Sequence, residues 1–359
     1  MNNSNSPILD NYRKNEKKKL LFLLLFLLIV ILVAFFSIFI GTSSLSFSKT
    51  FMAIFGNGEN MDVRIVQKIR IPRILAAIIC GIGLSLSGLV MQTTLNNPMA
   101  SPSTLGISNA SVLGANVAII MLSGGKVSTN NNSDWNSFNP YIVTIFAFMF
   151  SLIAILLILG LAKFRHFSPE TLILAGVALS SLFSAMTTLL QYFATDTQLS
   201  AAVYWSFGDL GRVGYKEVII MAVVLAIFIV VLSFMPNKMN ALTFGDTYAK
   251  TNGVNTELLR FILLLFSSLM TACCIAFVGI IGFIGIMAPH IVKKFVHGDH
   301  KYLLPFSGLM GSLILLLSDD FSRVVLQGFS LPVGAITSVL GAPFFLVLIF
   351  TYERRKRHA

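Results

Sequence analysis

Charge is what this sequence has least of. Asp, Glu, Lys and Arg make up 11% of its 359 residues, against 55% in the hydrophobic set. Ordinary soluble domains carry about 25% charged and about 45–50% apolar residues. Together with a mean hydropathy of +0.82, this excludes a soluble enzyme, a disordered chain and a nucleic-acid-binding domain. The formal net charge of +11 then becomes a question of which membrane face the basic residues occupy.

Cysteine is nearly as scarce. The three present, Cys80, Cys273 and Cys274, all lie within apolar stretches. A disulfide framework wants exposed loops and a metal site wants polar partners, so these read as small packing residues. No cofactor is expected. Also missing is the phosphate-binding pattern G-x-x-x-x-G-K-[ST]. The glycines of 81–88 hint at such a loop, but no strand precedes them. Ala77, Gly81 and Ser85 recur at every fourth position, as do Gly83 and Ser87, a spacing that lets helix backbones approach closely. Without an ATP-binding motif the chain reads as no enzyme, and uphill transport would draw its energy from another polypeptide.

Ionisable groups are absent from the centres of the apolar runs, with Glu170 and the Asp319–Asp320 pair lying near run ends. Carriers coupled to protons or sodium bind the coupling ion at membrane depth, and a membrane hydrolase needs a nucleophile with its base or a metal. The one candidate cluster, His297 and His300 with Asp299, sits beside Gly298 in what reads as a solvated polar loop.

Against these absences stand ten apolar segments. They run over Leu20–Ile40, Ile74–Leu95, Thr104–Ser123, Tyr141–Ala162, Thr171–Phe193, Val218–Met235, Leu259–Phe277, Ile280–Val292, Leu303–Leu317 and Val333–Tyr352. A spanning helix needs about 20 apolar residues, so the fold class is all-α and polytopic. The first segment exceeds the roughly 7–15 residues of a signal-peptide core and is read as a span. The eighth is short, entered from the Gly279, Gly282, Gly285 run by a tight extracellular turn and expected to stop at Pro289. The organisation is one ten-helix transmembrane domain over 20–352 between basic cytoplasmic tails at 1–19 and 353–359.

With both termini inside, 17 of the 26 Lys and Arg residues face the cytoplasm and nine face outward. That bias favours a multi-pass protein of the cell membrane in this orientation. Five of the outer nine, Lys49, Arg64, Lys68, Arg70 and Arg73, lie between the first two spans. An acidic partner outside the membrane, lipid headgroups or simple solvation each account for them.

Four stretches are more specific than hydropathy. The first runs from Arg70-Ile-Pro-Arg through Ser87-Gly-Leu-Val-Met-Gln to Asn97-Pro-Met-Ala-Ser-Pro-Ser-Thr-Leu-Gly. Its irregular backbone near membrane depth is tolerated only where protein packs around it or water fills a cavity. The second is the small-residue face Leu174-Ala-Gly-Val-Ala-Leu-Ser-Ser-Leu-Phe-Ser-Ala. The third, Met239 to Val254, predicts a short cytoplasmic helix capped by Gly253. The fourth is Gly282-Phe-Ile-Gly-Ile-Met-Ala-Pro-His, continuing into Leu331-Pro-Val-Gly-Ala-Ile-Thr.

In order and spacing, from about Arg70 to Phe350, these stretches resemble the permease subunits of ABC importers for iron-siderophores, haem and vitamin B12. The resemblance implies ten spans per subunit, in pairs of identical or sister permeases on two cytoplasmic ATP-binding subunits. It also implies an extracytoplasmic binding protein that delivers the chelate. Arg70, Arg73 and Arg323 match the arginines that meet carboxylates of that binding protein. Asn97, Pro98 and Met99 match one half of the cytoplasmic gate, and Pro169 with Glu170 occupies the other half, where relatives favour small hydroxyl residues. Gly245, Asp246, Lys250 and Gly253 resemble the segment that couples to the ATPase. The implied path is wide and apolar, and the Ser and Gly of the second and fifth spans agree with it. Rival readings are an ion-coupled carrier, which would need buried ionisable groups, and a non-transporting receptor or assembly factor.

Overall fold

The computed structural model describes residues 7–43, 45–122, 140–164, 168–296, 298–326 and 328–357. Lys126, Arg165 and His297, and the tail ends 1–6 and 358–359, lie outside the described residues. No strand occurs among the described residues, which are mostly helical.

Ten helical segments match the ten apolar ones. They are α1 (Pro7–Ser37), α4 (Ile71–Thr94), α5 (Ile107–Asn116), α6 (Pro140–Phe164), α7 (Pro169–Tyr192), α9 (Tyr215–Ser233), α12 (Thr256–Val278), α13 (Ile284–Val296), α14 (His300–Val324) and α15 (Val333–Arg357). Seven described helices are long and apolar enough to cross a bilayer, while α5 with its π-helical extension and α15 are shorter apolar helices. The rest are surface elements. On the proposed outer side lie α2 (Phe47–Ile54), α3 (Asn60–Arg64) and α8 (Asp196–Ser206), and on the inner side α10 (Pro236–Thr243) and α11 (Asp246–Thr251). The basic segment before Leu20 is helical from Pro7 onward, continuous with the first span.

The small residues of α4 set the architecture. A Cβ on Gly81 would come within 2.5 Å of the Ser312 Cα on α14, and one on Gly311 would strike the Gly81 carbonyl in return. On the next turns Gly88 abuts the backbone of Gly285 on α13, and Gly83 receives Met270 from α12. Ser85 adds a hydrogen bond to the Ser307 carbonyl at 2.6 Å. Backbones this close gain dispersion contacts that a larger residue would forbid. α4 is consequently the most enclosed of these seven long described helices, with 78% of its apolar window buried. The Ser and Gly residues of α4 are all buried in this packing, while on α7 Gly176 is buried and Ser181 and Ser184 are exposed. α1, α7, α9 and α15 keep broad apolar faces exposed, among them Leu174, Ile219 and Val339. The three cysteines are buried and free, and the Cys80 thiol meets the Met221 sulfur of α9 at 3.6 Å.

The eighth apolar segment departs from expectation. Helix α13 begins at Ile284, after Gly279 and Phe283 with φ of +88° and +64°, and continues through Pro289 to Val296. A proline inside a helix leaves the carbonyl four residues back without its usual donor. Here that carbonyl belongs to Gly285, and the Gln92 amide of α4 donates to it at 2.9 Å. A neighbouring helix supplies the missing hydrogen bond, so the helix need not stop.

Gly81→Val is expected to destabilise the detergent-solubilised chain by at least about 3 kcal/mol, because backbone blocks the new methyl groups. Gly160→Ala, where nothing lies within 4 Å, should leave stability unchanged or slightly raised. Thermal unfolding of the two variants checks this, and equal midpoints would contradict the packing account.

Candidate functional sites at the two membrane faces

At the outer end of α4 the three expected arginines converge. Arg70 ends the π-helical turns over Ile65–Arg70, and Arg73 follows within the first turn of α4 behind Pro72. Arg323 lies in the last turn of α14. All three are buried, at 4%, 7% and 4% exposure. Arg73 Nε donates to Asp319 at 2.8 Å, and Arg323 pairs with both Asp319, at 3.0 Å, and Asp320. The Ser37 hydroxyl donates to the other Asp320 oxygen at 2.6 Å. Arg70 has no carboxylate among these contacts and donates instead to the Ile38 and Ser43 carbonyls, both at 2.9 Å. Gly41 lies against its guanidinium so closely that any side chain there would collide with it. The turn 38–43 therefore wraps the cluster, held by Arg70 and by Arg323, which reaches the Ser37 carbonyl at 3.2 Å and that of Ile40.

Three guanidinium groups surround two buried carboxylates. Burying charge is costly unless every donor is satisfied, and here backbone carbonyls supply what carboxylates do not. Asp209 adds a half-exposed carboxylate 4.0 Å from Arg73. Nearby, burial lowers the pKa of Arg212, opposed by Asp209, while its guanidinium donates to the Trp205 carbonyl at 2.9 Å. Of the remaining outer cations, Lys49 pairs with Glu59 at 3.3 Å and Asp62 at 3.8 Å, and Arg64 and Lys68 are exposed.

At the inner end, α4 closes with Asn96 in the left-handed region at φ +45°, where Asn97 N–H reaches back to the Gln92 carbonyl at 3.1 Å. This is a Schellman cap built on asparagine. The Asn97 side chain then accepts from Met99 N–H at 2.9 Å, fixing the Asn97-Pro98-Met99 turn half-buried. The following stretch docks on α7, where Gly176 abuts the Thr104 carbonyl and Leu105. Asn109 of α5 donates to the Ser180 carbonyl at 3.1 Å. Pro169 and Glu170 lie about two turns before Gly176, at the start of α7. Ser168 caps that helix, and exposed Glu170 sits in its first turn, where the helix dipole favours an acid.

The segment 239–254 holds two short helices where one was expected, with the break at Gly245, φ +99°. Gly253 at φ +76° closes α11, with Val254 N–H donating to the Ala249 carbonyl at 3.0 Å. Lys250 is exposed in the last turn. Asp246 is paired within the chain, its two oxygens accepting from Arg260 at 2.7 and 2.8 Å. Sequence reasoning counted Arg260 only as an inward-facing charge. It also passed over Phe244 and Tyr248, which are 74% and 50% exposed with ring centroids 5.3 Å apart. With Lys238, Asn252 and Gly253 they line a concavity of about 420 Å³.

The expected solvated loop at His300 is instead an anchored junction. His300 is 2% exposed, its ring 2.8 Å from the Thr93 hydroxyl and 2.7 Å from Asn240 Oδ1. Asp299 caps α14 and accepts from the Asn240 amide at 2.9 Å. Burial pushes the Asp299 carboxyl up, but the bonds from Asn240 and Lys301 N–H, with Lys19 and His300 nearby, bring it below the usual carboxylate range. No group of three or more His, Cys, Asp or Glu that could hold a metal occurs among the described residues.

Known proteins share both sequence and architecture with this chain. A provisionally named ABC transporter permease protein of Methanocaldococcus jannaschii is 44% identical over 97% of this chain and 99% of its own length. The Fe(3+)-citrate import system permease protein YfmE of Bacillus subtilis is 35% identical, covering 82% of this chain and 84% of its own. The vitamin B12 import system permease protein BtuC of Salmonella typhi is also 35% identical, over 80% of this chain and 84% of its own. A solved structure described as an inward-facing, provisionally assigned metal-chelate type ABC transporter aligns with a TM-score of 0.79. Its identity is 29%, over 92% of this chain and 99% of its own. Residues 27–351 match the FecCD transport family, and on these grounds the chain belongs to that family of polytopic membrane permeases.

Proposed function

We propose that this chain is the membrane subunit of an ATP-driven importer that brings an iron chelate into the cytoplasm by alternating access. An iron-siderophore is the preferred cargo, with haem or cobalamin as alternatives. The observation that carries this reading is the exposed α10–α11 segment, whose Phe244–Tyr248 pair and concavity offer a surface for a cytoplasmic ATPase. The iron-citrate and metal-chelate assignments of similar proteins favour iron, while the equally similar vitamin B12 permease keeps cobalamin in play.

In this reading two ATP-binding subunits engage α10 and α11 of two permease subunits, which are copies of this chain or a sister pair. Both termini face the cytoplasm. Their closure moves Asn97, Met99 and the start of α7 at Pro169 and Glu170, opening and shutting the inner end of the path. An extracytoplasmic binding protein docks on the outer face over Arg70, Arg73 and Arg323. Arg70, held by carbonyls and the Ser43 hydroxyl rather than by a carboxylate, is the charge offered to the carboxylates of the partner, and the 38–43 turn is the element that must yield for direct contact. No tight substrate site is needed in the permease, because the binding protein supplies affinity.

Deleting the gene should abolish uptake of at least one radiolabelled iron chelate, haem or cobalamin by whole cells. Unchanged uptake of all of them would remove the transport claim. Arg70→Gln is expected to weaken the cognate binding protein by about tenfold and to flatten its salt dependence. Equal affinity and salt slope in a folded variant would count against docking there. Phe244→Ala should reduce co-purification of the ATPase by about tenfold or more, as for a buried aromatic anchor. Recovery at the wild-type ratio would place the ATPase elsewhere.

A further inference from the structure

Arg260, one turn into α12, is 4% exposed and its guanidinium touches two elements that the proposed cycle must move together. Its Nη1 and Nη2 donate to the two carboxylate oxygens of Asp246 at 2.8 and 2.7 Å, a fork-on-fork pair. Its Nε donates to the Thr94 carbonyl at 3.1 Å. Asp246 is the first residue of α11, immediately after the Gly245 break. Thr94 is the last residue of α4, two positions before left-handed Asn96 and the Asn97-Pro98-Met99 turn. One planar group thus joins the start of the coupling helix to the end of the gate-bearing helix.

A second tie runs in parallel. Asn240 of α10 holds His300, whose ring meets the Thr93 hydroxyl at 2.8 Å. The two short cytoplasmic helices therefore terminate on consecutive residues of α4, Thr93 and Thr94. We propose that Arg260 is the positioning residue that transmits displacement of α11 to the gate turn, with His300 as the matching link from α10. This rests on reading α10–α11 as the ATPase contact and 97–99 as the gate. Lysine cannot substitute, because a point charge on a flexible stem cannot hold a carboxylate bidentately and a carbonyl in one plane.

The test uses the complete transporter, permease with its ATPase subunits, in lipid nanodiscs, with Met99→Cys as a reporter. The cysteines of this chain are buried, so with ATPase subunits stripped of cysteine a membrane-impermeant maleimide reads the introduced thiol. In the otherwise native chain the labelling rate should change by at least about fivefold between nucleotide-free and ATP-vanadate-trapped states, the size of an ordinary coupling. In Arg260→Lys and in the milder Asp246→Asn the change should fall below about twofold in assembled complexes, and the double variant should be no worse than either single one. A purely structural role would alter yield or stability and leave the nucleotide response intact. A wild-type response in either assembled variant overturns the proposal. No response in the otherwise native chain overturns the gate reading and this proposal with it, before any Arg260 variant is made.

Discussion

The structure depends on the closeness of α4 to its neighbours. Gly81 against Gly311 and Ser312, and Gly88 against Gly285, let three helix backbones come together without side chains between them. In a bilayer there is no apolar driving force between helices, so such packing and interhelical hydrogen bonds must hold the bundle. Ser85 to the Ser307 carbonyl and Gln92 to the Gly285 carbonyl are bonds of this kind. With α4 fixed at the centre, its two ends become the fixed points of the two faces.

The polar chemistry follows from that placement. At the outer end Arg73 meets Asp319 because α4 and α14 pack in register along their length, and Arg323 closes the cluster from α14 itself. At the inner end Thr93 and Thr94 are reached by His300 and Arg260 from two other helices. Each face therefore carries a buried polar network anchored on the same helix. Buried ionic networks of this sort are costly to desolvate even when their donors are satisfied.

The ten apolar helical segments and the small-residue stripe were legible in the sequence, because hydropathy and a spacing of four are local signals. What was not legible is whatever depends on a partner far along the chain. Pro289 reads as a helix stop until Gln92 is known to satisfy Gly285 from another helix. Nothing local shows that the arginines at 70, 73 and 323 are enclosed by Asp319, Asp320 and the 38–43 turn. His300 reads as loop until Thr93 and Asn240 bury it. Arg260 was hidden for the opposite reason: a lone arginine at a helix end expected to face the cytoplasm satisfies the positive-inside rule and asks for no further explanation.

The central claim is that this chain moves a large chelate with energy supplied by a separate ATPase. The measurement that bears on it most directly is accumulation of radiolabelled ferric siderophore in proteoliposomes holding the permease, its ATPase subunits and the binding protein. Haem and cobalamin are assayed in parallel. The account predicts accumulation of one of these compounds that requires ATP and is insensitive to collapse of proton and sodium gradients. Accumulation driven by an ion gradient in the absence of ATP would contradict it.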